Sequence, residues 1–374
     1  MSDPRLNDLA AIIDAQGADL SQARVVAGFD GFVDEMIQVV GERQSLEHFD
    51  AVSDIPAFAA WVAGAAGRSS LKEVVVQRQD AGGCAVNLGD GLVTFGIQLD
   101  LFATLGAPIA APFAPLVARC HHAESWCSQP GRTLAFEFND GKLMFASVSQ
   151  LGELDPAAME RAIADGQLRP SCQAAQLIAL TNWTLYPHMT ACWQVFQQQV
   201  LAQCQQSPLI FIDLVDPRSR SRADISAMLE TLPRFQDHGR AILGVNLNEA
   251  NAVADLLGIA QVEEDGPAMA EQAAAIRQKL GIHQVVTHAV KVAAAADAHS
   301  SAIAAGPFCA KPDKSVGAGD RFNAGYCAAQ LLGLNLEQSL LLGNASSGFF
   351  VRQARSATVS ELAQFCRDWQ AGNI

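Results

Sequence analysis

The chain has 374 residues, half of them hydrophobic and 17% charged, a balance that buries a large core and excludes a disordered chain. Its formal charge of −14 and pI near 4.9 argue against a nucleic-acid or anionic-membrane partner, because neutralising phosphates needs clustered Lys and Arg. One α/β core with an insertion fits this length, and any phosphorylated ligand must be held locally by backbone amides, a metal or a few basic side chains.

Met1 to Leu20 is interrupted by Asp3, Arg5, Asp8, Asp14 and Asp19, which leaves no apolar core for a signal peptide or a membrane span. A cytoplasmic protein is expected. The nine cysteines are scattered, mostly within apolar segments, and read as buried reduced thiols rather than a disulfide framework.

The first strand is "RVVAGF" (24–29). The segment from Val39 to Gln79 is harder to place, although "IPAFAAWVAGAAG" within it reads as helix. "EVVVQRQ" is the next strand, "GGCAVNLGDGLVTFG" opens on two glycines and continues at helical spacing, and "LDLFATLG" returns to strand. In "CHHAESWC", Cys120, His121, His122 and Cys127 are all zinc-ligand types, but their spacing matches no zinc pattern; a helix end followed by a strand start is the favoured reading. "TLAFEFNDGKLMFAS" (133–147) is a hairpin turned at Asn139-Asp140-Gly141, the one antiparallel excursion expected.

From Asp155 the pattern alternates: a helix at "DPAAMERAI", a strand "QLIALTNW", a helix from His188 and a strand "PLIFIDLVD". Helix "ADISAMLETL", strand "AILGVN", helices "NEANAVADLLG" and "PAMAEQAAAIRQKLG" and strand "QVVTHAV" follow. Short apolar strands separated by helices define an α/β fold with a mostly parallel sheet. Function is therefore sought in the strand-to-helix loops at the carboxyl ends of the strands.

"KSVGAGDRFNAGY" (314–326) places Gly317, Ala318 and Gly319 just before a helix that begins with Asp320. A helix start offers unpaired amides and the positive end of the dipole to an anion. An aspartate there repels an anion unless it has a second task, such as taking a proton from a nucleophile that attacks a bound phosphate. The alternative is an ordinary first-turn Asp after a glycine-rich loop. "DLVDPRSRS" (213–221) follows a strand end, and either touches a phosphate or is a helix entry with solvated arginines.

"SVGAGDRFNAG" resembles the C-terminal signature of the ribokinase-like (PfkB) carbohydrate kinases. That resemblance implies a three-layer α/β/α fold with a small β lid, here a single domain over 1–374 with the lid inserted from about 35–80 and at 133–147. It makes Asp320 the catalytic base and Gly317, Ala318 and Gly319 the anion hole. Asp34, with Asp30 as second candidate, would bind sugar hydroxyls, together with Gly82, Gly83 and Asn87 of "GGCAVN". Asn246 and Glu249 of "NLNE" would organise Mg²⁺ and phosphates through water, although Asn followed by Glu at this spacing is also a capping box. Thr287, Lys314 and Ser315 fall at the nucleotide site, where the chain departs from the family: Lys314-Ser315 replaces the usual Asp-Thr, and Ala289 stands where a glycine is usual.

The implied reaction is transfer of a phosphoryl group from ATP, or from ADP as in a related branch, to a hydroxyl of a sugar or polyol. A nucleoside acceptor and a non-catalytic sensor are the alternatives. A lid of this kind also serves some members as a homodimer contact.

Overall fold

A computed structural model describes residues 3–374. Fourteen strands are described: β1 (Arg24–Phe29), β2 (Phe32–Arg43), β3 (Phe49–Ala51), β4 (Val74–Gly82), β5 (Gln98–Ala103), β6 (His122–Ser125), β7 (Gly131–Phe138), β8 (Gly141–Ser147), β9 (Leu177–Leu180), β10 (Leu209–Asp213), β11 (Arg240–Asn246), β12 (Gln284–His288), β13 (Val292–Ala296) and β14 (Ser301–Ala305).

Nine of them form one sheet in the order β14-β13-β12-β11-β10-β9-β1-β5-β6. It is parallel from β6 to β12, and antiparallel only where β13 and β14 close one edge. The inner strands are buried on both faces, which explains why they read as unbroken apolar runs. Val25 and Ala27 of β1 pack with helices Arg5–Gln16, Cys84–Thr94, Ala318–Leu331, Leu336–Gln353 and Val359–Ala371. Val26 and Phe29 face the opposite layer, with helices Pro156–Asp165, Met189–Gln199, Arg222–Thr231 and Leu247–Leu257. The three-layer α/β/α expectation holds.

Strand order reverses between β1 and β9, since β1 connects onward to one side of the sheet and β9 to the other. Such a switch point opens a crevice beyond the strand ends. Above it stands the second sheet: β2 pairs with β4 and β7, β7 with β8, and the far end of β2 with β3. The expected hairpin is thus part of a larger unit, and the single antiparallel excursion is corrected to five strands plus the β13–β14 edge. The hydrophobic pattern could not reveal this, because β13 is "VAAAA" and β14 "SAIAA", alanines that favour helix intrinsically and become strand through packing.

Packing also explains those alanines. Helix Gly266–Leu280 lies against β13 and β14, and a Cβ on Gly266 would come within 2.7 Å of Ile303 Cγ2, an approach only small residues permit. The "CHHAESWC" segment behaves as its bland reading had it: His121 pairs with buried Asp100 at 2.7 Å, and the described residues hold no group of three or more His, Cys, Asp or Glu fit for a metal. No described helix is long and apolar enough to cross a membrane.

Helices Cys84–Thr94 and Ala318–Leu331 meet so closely that a Cβ on Gly91 would lie 2.6 Å from Ala324 Cβ. Gly91→Leu should therefore force them apart, costing about 1–3 kcal/mol, read as a lowered urea midpoint against Gly152→Ala, whose Cβ meets open space at a φ outside the left-handed region and whose cost should stay within about 0.5 kcal/mol.

Candidate active site

Asp30 follows β1 directly and is fully buried. Its carboxylate accepts from Cys84 N at 2.6 Å, Ala85 N at 2.8 Å, Thr181 Oγ1 at 2.6 Å and Asn182 Nδ2 at 3.0 Å. The first two are orphan amides at the start of helix Cys84–Thr94, so Asp30 caps that helix from another segment of the chain. This corrects the second-candidate role for Asp30: its oxygens are engaged within the protein and serve the scaffold, not a sugar. Gly83 makes the approach possible, at φ 100° and with its missing Cβ only 3.0 Å from Asp30 Oδ2.

Asp34 lies on β2 opposite Asp80 of β4 and Thr133 of β7. A Cβ on Gly82 would fall 2.3 Å from Asp34 Oδ2, so only glycine lets this carboxylate lie across the end of β4. Burial raises its pKa, while the Thr133 hydroxyl and the Lys314 charge oppose the rise. Lys314 is thus felt on the Asp34 side of the site, with Nζ 5.8 Å from the Phe350 ring centroid, and is absent from the lining of the cavity described below.

Gly317 is the N-cap of helix Ala318–Leu331, at φ 87° in the left-handed region. The turn leaves the first helical amides free of side-chain caps, and Asp320 stands in that first turn. Asn87, one turn into the facing helix, donates from Nδ2 to Asp320 Oδ2 at 2.9 Å. The structure therefore brings the "GGCAVN" asparagine to Asp320. Burial, then the charge of Asp213, push Asp320 up to about 7, against Arg321 and the Asn87 hydrogen bond. An acid of this pKa exchanges a proton readily near neutrality.

Asp213, at the end of β10, accepts from Asn323 Nδ2 at 2.7 Å and from Val215 N at 3.0 Å. Burial raises it to about 6. Asn246 and Glu249 form the full reciprocal capping box of helix Leu247–Leu257, Glu249 N to Asn246 Oδ1 at 3.0 Å and Asn246 N to Glu249 Oε2 at 2.9 Å. Glu249 is nevertheless buried and held well above its ordinary pKa by burial and by Asp213. Capping and a second role are compatible, since a carboxylate carries about four acceptor positions. Carboxylates that raise one another in this way form a ground that a hydrated divalent cation would relieve.

Beyond Gly319 lies a cavity of about 460 Å³ lined by, among others, Asn246, His288, Phe308, Ser315, Gly319 and Phe322. Ser315 lines this cavity, whereas Thr287 does not: it is 1% exposed with Oγ1 unpartnered, and strand alternation turns its neighbour His288 to the cavity instead. His288 stacks toward Phe322 at 4.9 Å, and burial lowers it to about 4, so the ring is neutral near pH 7. Sequence reasoning missed His288, Asp213 as a neighbour of the base, and Arg321; the one available signal was position, since His288 and Asp213 close strands at their carboxyl ends.

A helix start with uncapped amides and a raised carboxylate in its first turn, set beside a cavity of about 460 Å³ at a sheet switch point, has the layout of the ribokinase-like fold. Solved structures share that fold: a carbohydrate kinase from Agrobacterium tumefaciens (TM-score 0.63, 16% identity, 93% of this chain and 97% of that one) and a ribokinase from Thermotoga maritima (TM-score 0.59, 14% identity, 92% and 99%). The family model described as prokaryotic ketohexokinase matches residues 6–369, and a ketohexokinase of Haloferax volcanii is 30% identical over 345 residues, 91% of this chain and 90% of that protein. The chain belongs to the prokaryotic ketohexokinase family. It is a carbohydrate kinase, a phosphotransferase with an alcohol group as acceptor.

Asp320 dictates a pH signature. Its folded pKa is raised above the unfolded value, so its contribution to stability is full below pH 4 and is lost as pH rises through about 7. Asp320→Asn should accordingly raise stability at pH 8 by about 1–3 kcal/mol and leave it nearly unchanged at pH 4, measured by urea denaturation at both values.

Proposed function

We propose that the protein phosphorylates a ketohexose with ATP, using Asp320 as general base. The observation that carries this reading is the pairing of Asp320 with the uncapped turn 317–319 in one helix start, which puts a proton acceptor and an anion cradle side by side. The acceptor hydroxyl gives its proton to Asp320 as its oxygen bonds to the γ-phosphorus. The bond from that phosphorus to the bridging oxygen breaks, and ADP leaves. The amides of Gly317, Ala318 and Gly319 stabilise the charge on the transferring group. Asp34, open to the cleft above Gly82, holds sugar hydroxyls.

The cavity beside His288 and Phe322 takes the nucleoside of the donor, its volume within the range of nucleotide-sized sites. Mg²⁺ would be held through water near Glu249, where it supplies charge neutralisation for the phosphates. Ketohexose as acceptor rests on the family and on the Haloferax volcanii relative, and ATP on the general habit of sugar kinases. Nine free cysteines suit the cytoplasm, where ATP is abundant. The second sheet serves as lid, and a second copy covers its apolar surface, where Val76 and Phe145 are 45% and 53% exposed.

The test is turnover of fructose, other ketohexoses, aldohexoses and nucleosides with magnesium and either ATP or ADP. Ketohexose phosphorylation with ATP, reduced at least 10³-fold in Asp320→Asn and with KM for sugar raised tenfold or more in Asp34→Asn, is the expected result. Turnover only of another acceptor, or only with ADP, would overturn the respective half. kcat/KM in the wild type should fall as pH drops through about 7, and this acid limb should move upward in Asn87→Ala, which removes a hydrogen bond favouring the ionised base. For assembly, light scattering should give a dimer that Phe145→Glu converts to monomer.

A further inference from the structure

Arg321 follows the base in sequence and returns beneath it in space. Helical side chains tilt toward the N-terminus, and residues four apart share a face, so Arg321 lies under Gly317. Its guanidinium is fixed on three sides. Nε donates to Ser356 Oγ at 3.1 Å, Nη2 donates to Asp90 Oδ2 at 2.9 Å, and Cζ sits 4.6 Å from the Phe350 ring centroid. Ser356 in turn donates to the same Asp90 oxygen at 2.6 Å. The side chain is only 7% exposed, yet Nη1 is buried with no hydrogen-bond partner.

An arginine nitrogen stripped of water and left unpartnered costs free energy, and a fold that only needed a strut would not require it. Its surroundings explain its use. A Cβ on Gly317 would lie 3.2 Å from Nη1 and 3.3 Å from Asn87 Nδ2, so the free nitrogen stands directly behind the turn whose amides form the anion cradle. Lys314 approaches the same Phe350 ring, but at 5.8 Å and from a half-buried loop residue. The groups felt at Asp320 are otherwise acidic or neutral: Asp213 past β10, Asp30 past β1, and Cys84 and Asn87 on the facing helix.

We propose that Arg321 is a built-in cation of the anion site, a positioning residue whose fixed guanidinium, set behind the 317–319 turn, stabilises the charge of the transferring phosphoryl group. This rests on the reading of Asp320 as base. The charge of Arg321 acts through the turn rather than by touching the substrate, and low exposure keeps it from being screened. Asp90, which would otherwise neutralise it, divides its own carboxylate with Arg119 at 3.0 Å.

The experiment compares wild type, Arg321→Gln, Arg321→Lys, the double variant Arg321→Gln with Asp90→Asn, and Asp320→Asn, using full-length protein, fructose and Mg-ATP. Arg321→Gln should lower kcat about 10²–10³-fold with sugar KM within about threefold, and shift the acid limb of kcat/KM upward. Arg321→Lys should recover at least tenfold of that loss. The double variant removes the buried pair together and guards against misfolding; it should fold and stay as slow as Arg321→Gln. Recovery of wild-type kcat in the double variant, or Gln and Lys variants equally slow with the acid limb unmoved, would show a mere counter-ion to Asp90 and overturn the proposal. If Asp320→Asn retains turnover, the base reading fails and the inference falls with it; if Asp320→Asn is inactive and only the arginine outcomes fail, the inference alone is lost.

Discussion

Asp30 is a carboxylate taken wholly out of water with no cation against it, and four donors from two other chain segments stand in for the water it lost. That exchange is favourable only while all the donors keep their places, because each one lost leaves a buried charge less solvated. The end of β1, the start of helix Cys84–Thr94 and the turn after β9 are therefore fixed relative to one another. Asn87 then meets Asp320, and Asp90, one turn further along the same helix, meets the adjacent Arg321 where the two helices pack at glycine distance. The orientation of the base is a remote consequence of a helix cap.

Charge runs through the same design. Asp213, Glu249 and Asp320 are each raised chiefly by burial; the charge of Asp213 raises Glu249 and Asp320 further, and that of Asp30 raises Asp213, so this ground disfavours negative charge in a way that a cation would relieve. A protein selected for stability alone would place amides or apolar groups there. Buried carboxylates raised in this way cluster at functional sites, where stability is given up for chemistry.

Much of this was legible in the sequence because the chemistry is local. The β1 strand, the paired glycines of 82–83, and the 314–326 stretch each carry a backbone requirement within a few residues, a positive φ or an unpaired amide, and such requirements leave their trace in residue type. The roles of Asp30 and Asn87 were not legible, since their partners lie 54 and 233 residues away and only the fold makes them neighbours. Thr287 was placed by its likeness to a Thr-x-Gly stretch that Ala289 interrupts here, and the strand buries its side chain in the core. The long strand β2 escaped the hydrophobic pattern because it is buried on both faces for most of its length, and β13 and β14 because alanine carries no strand signal of its own.

The two sheets divide the site unequally. Asp320, the anion cradle and the cavity belong to the large sheet and its helices, whereas Asp34 rides on the small one, four residues beyond Asp30. Gly31 roots that arm: its amide donates to Thr104 Oγ1 at 3.0 Å, and Thr104 is itself tied to Tyr186 at 2.6 Å. With the root clamped, a swing of the small sheet displaces Asp34 while leaving the donor side undisturbed. With Asp34 as the proposed sugar contact, acceptor recognition and shielding from water would become a single mechanical variable: the sugar itself would be the latch, and a nucleotide facing an unlatched arm would have nothing aligned to receive its phosphate.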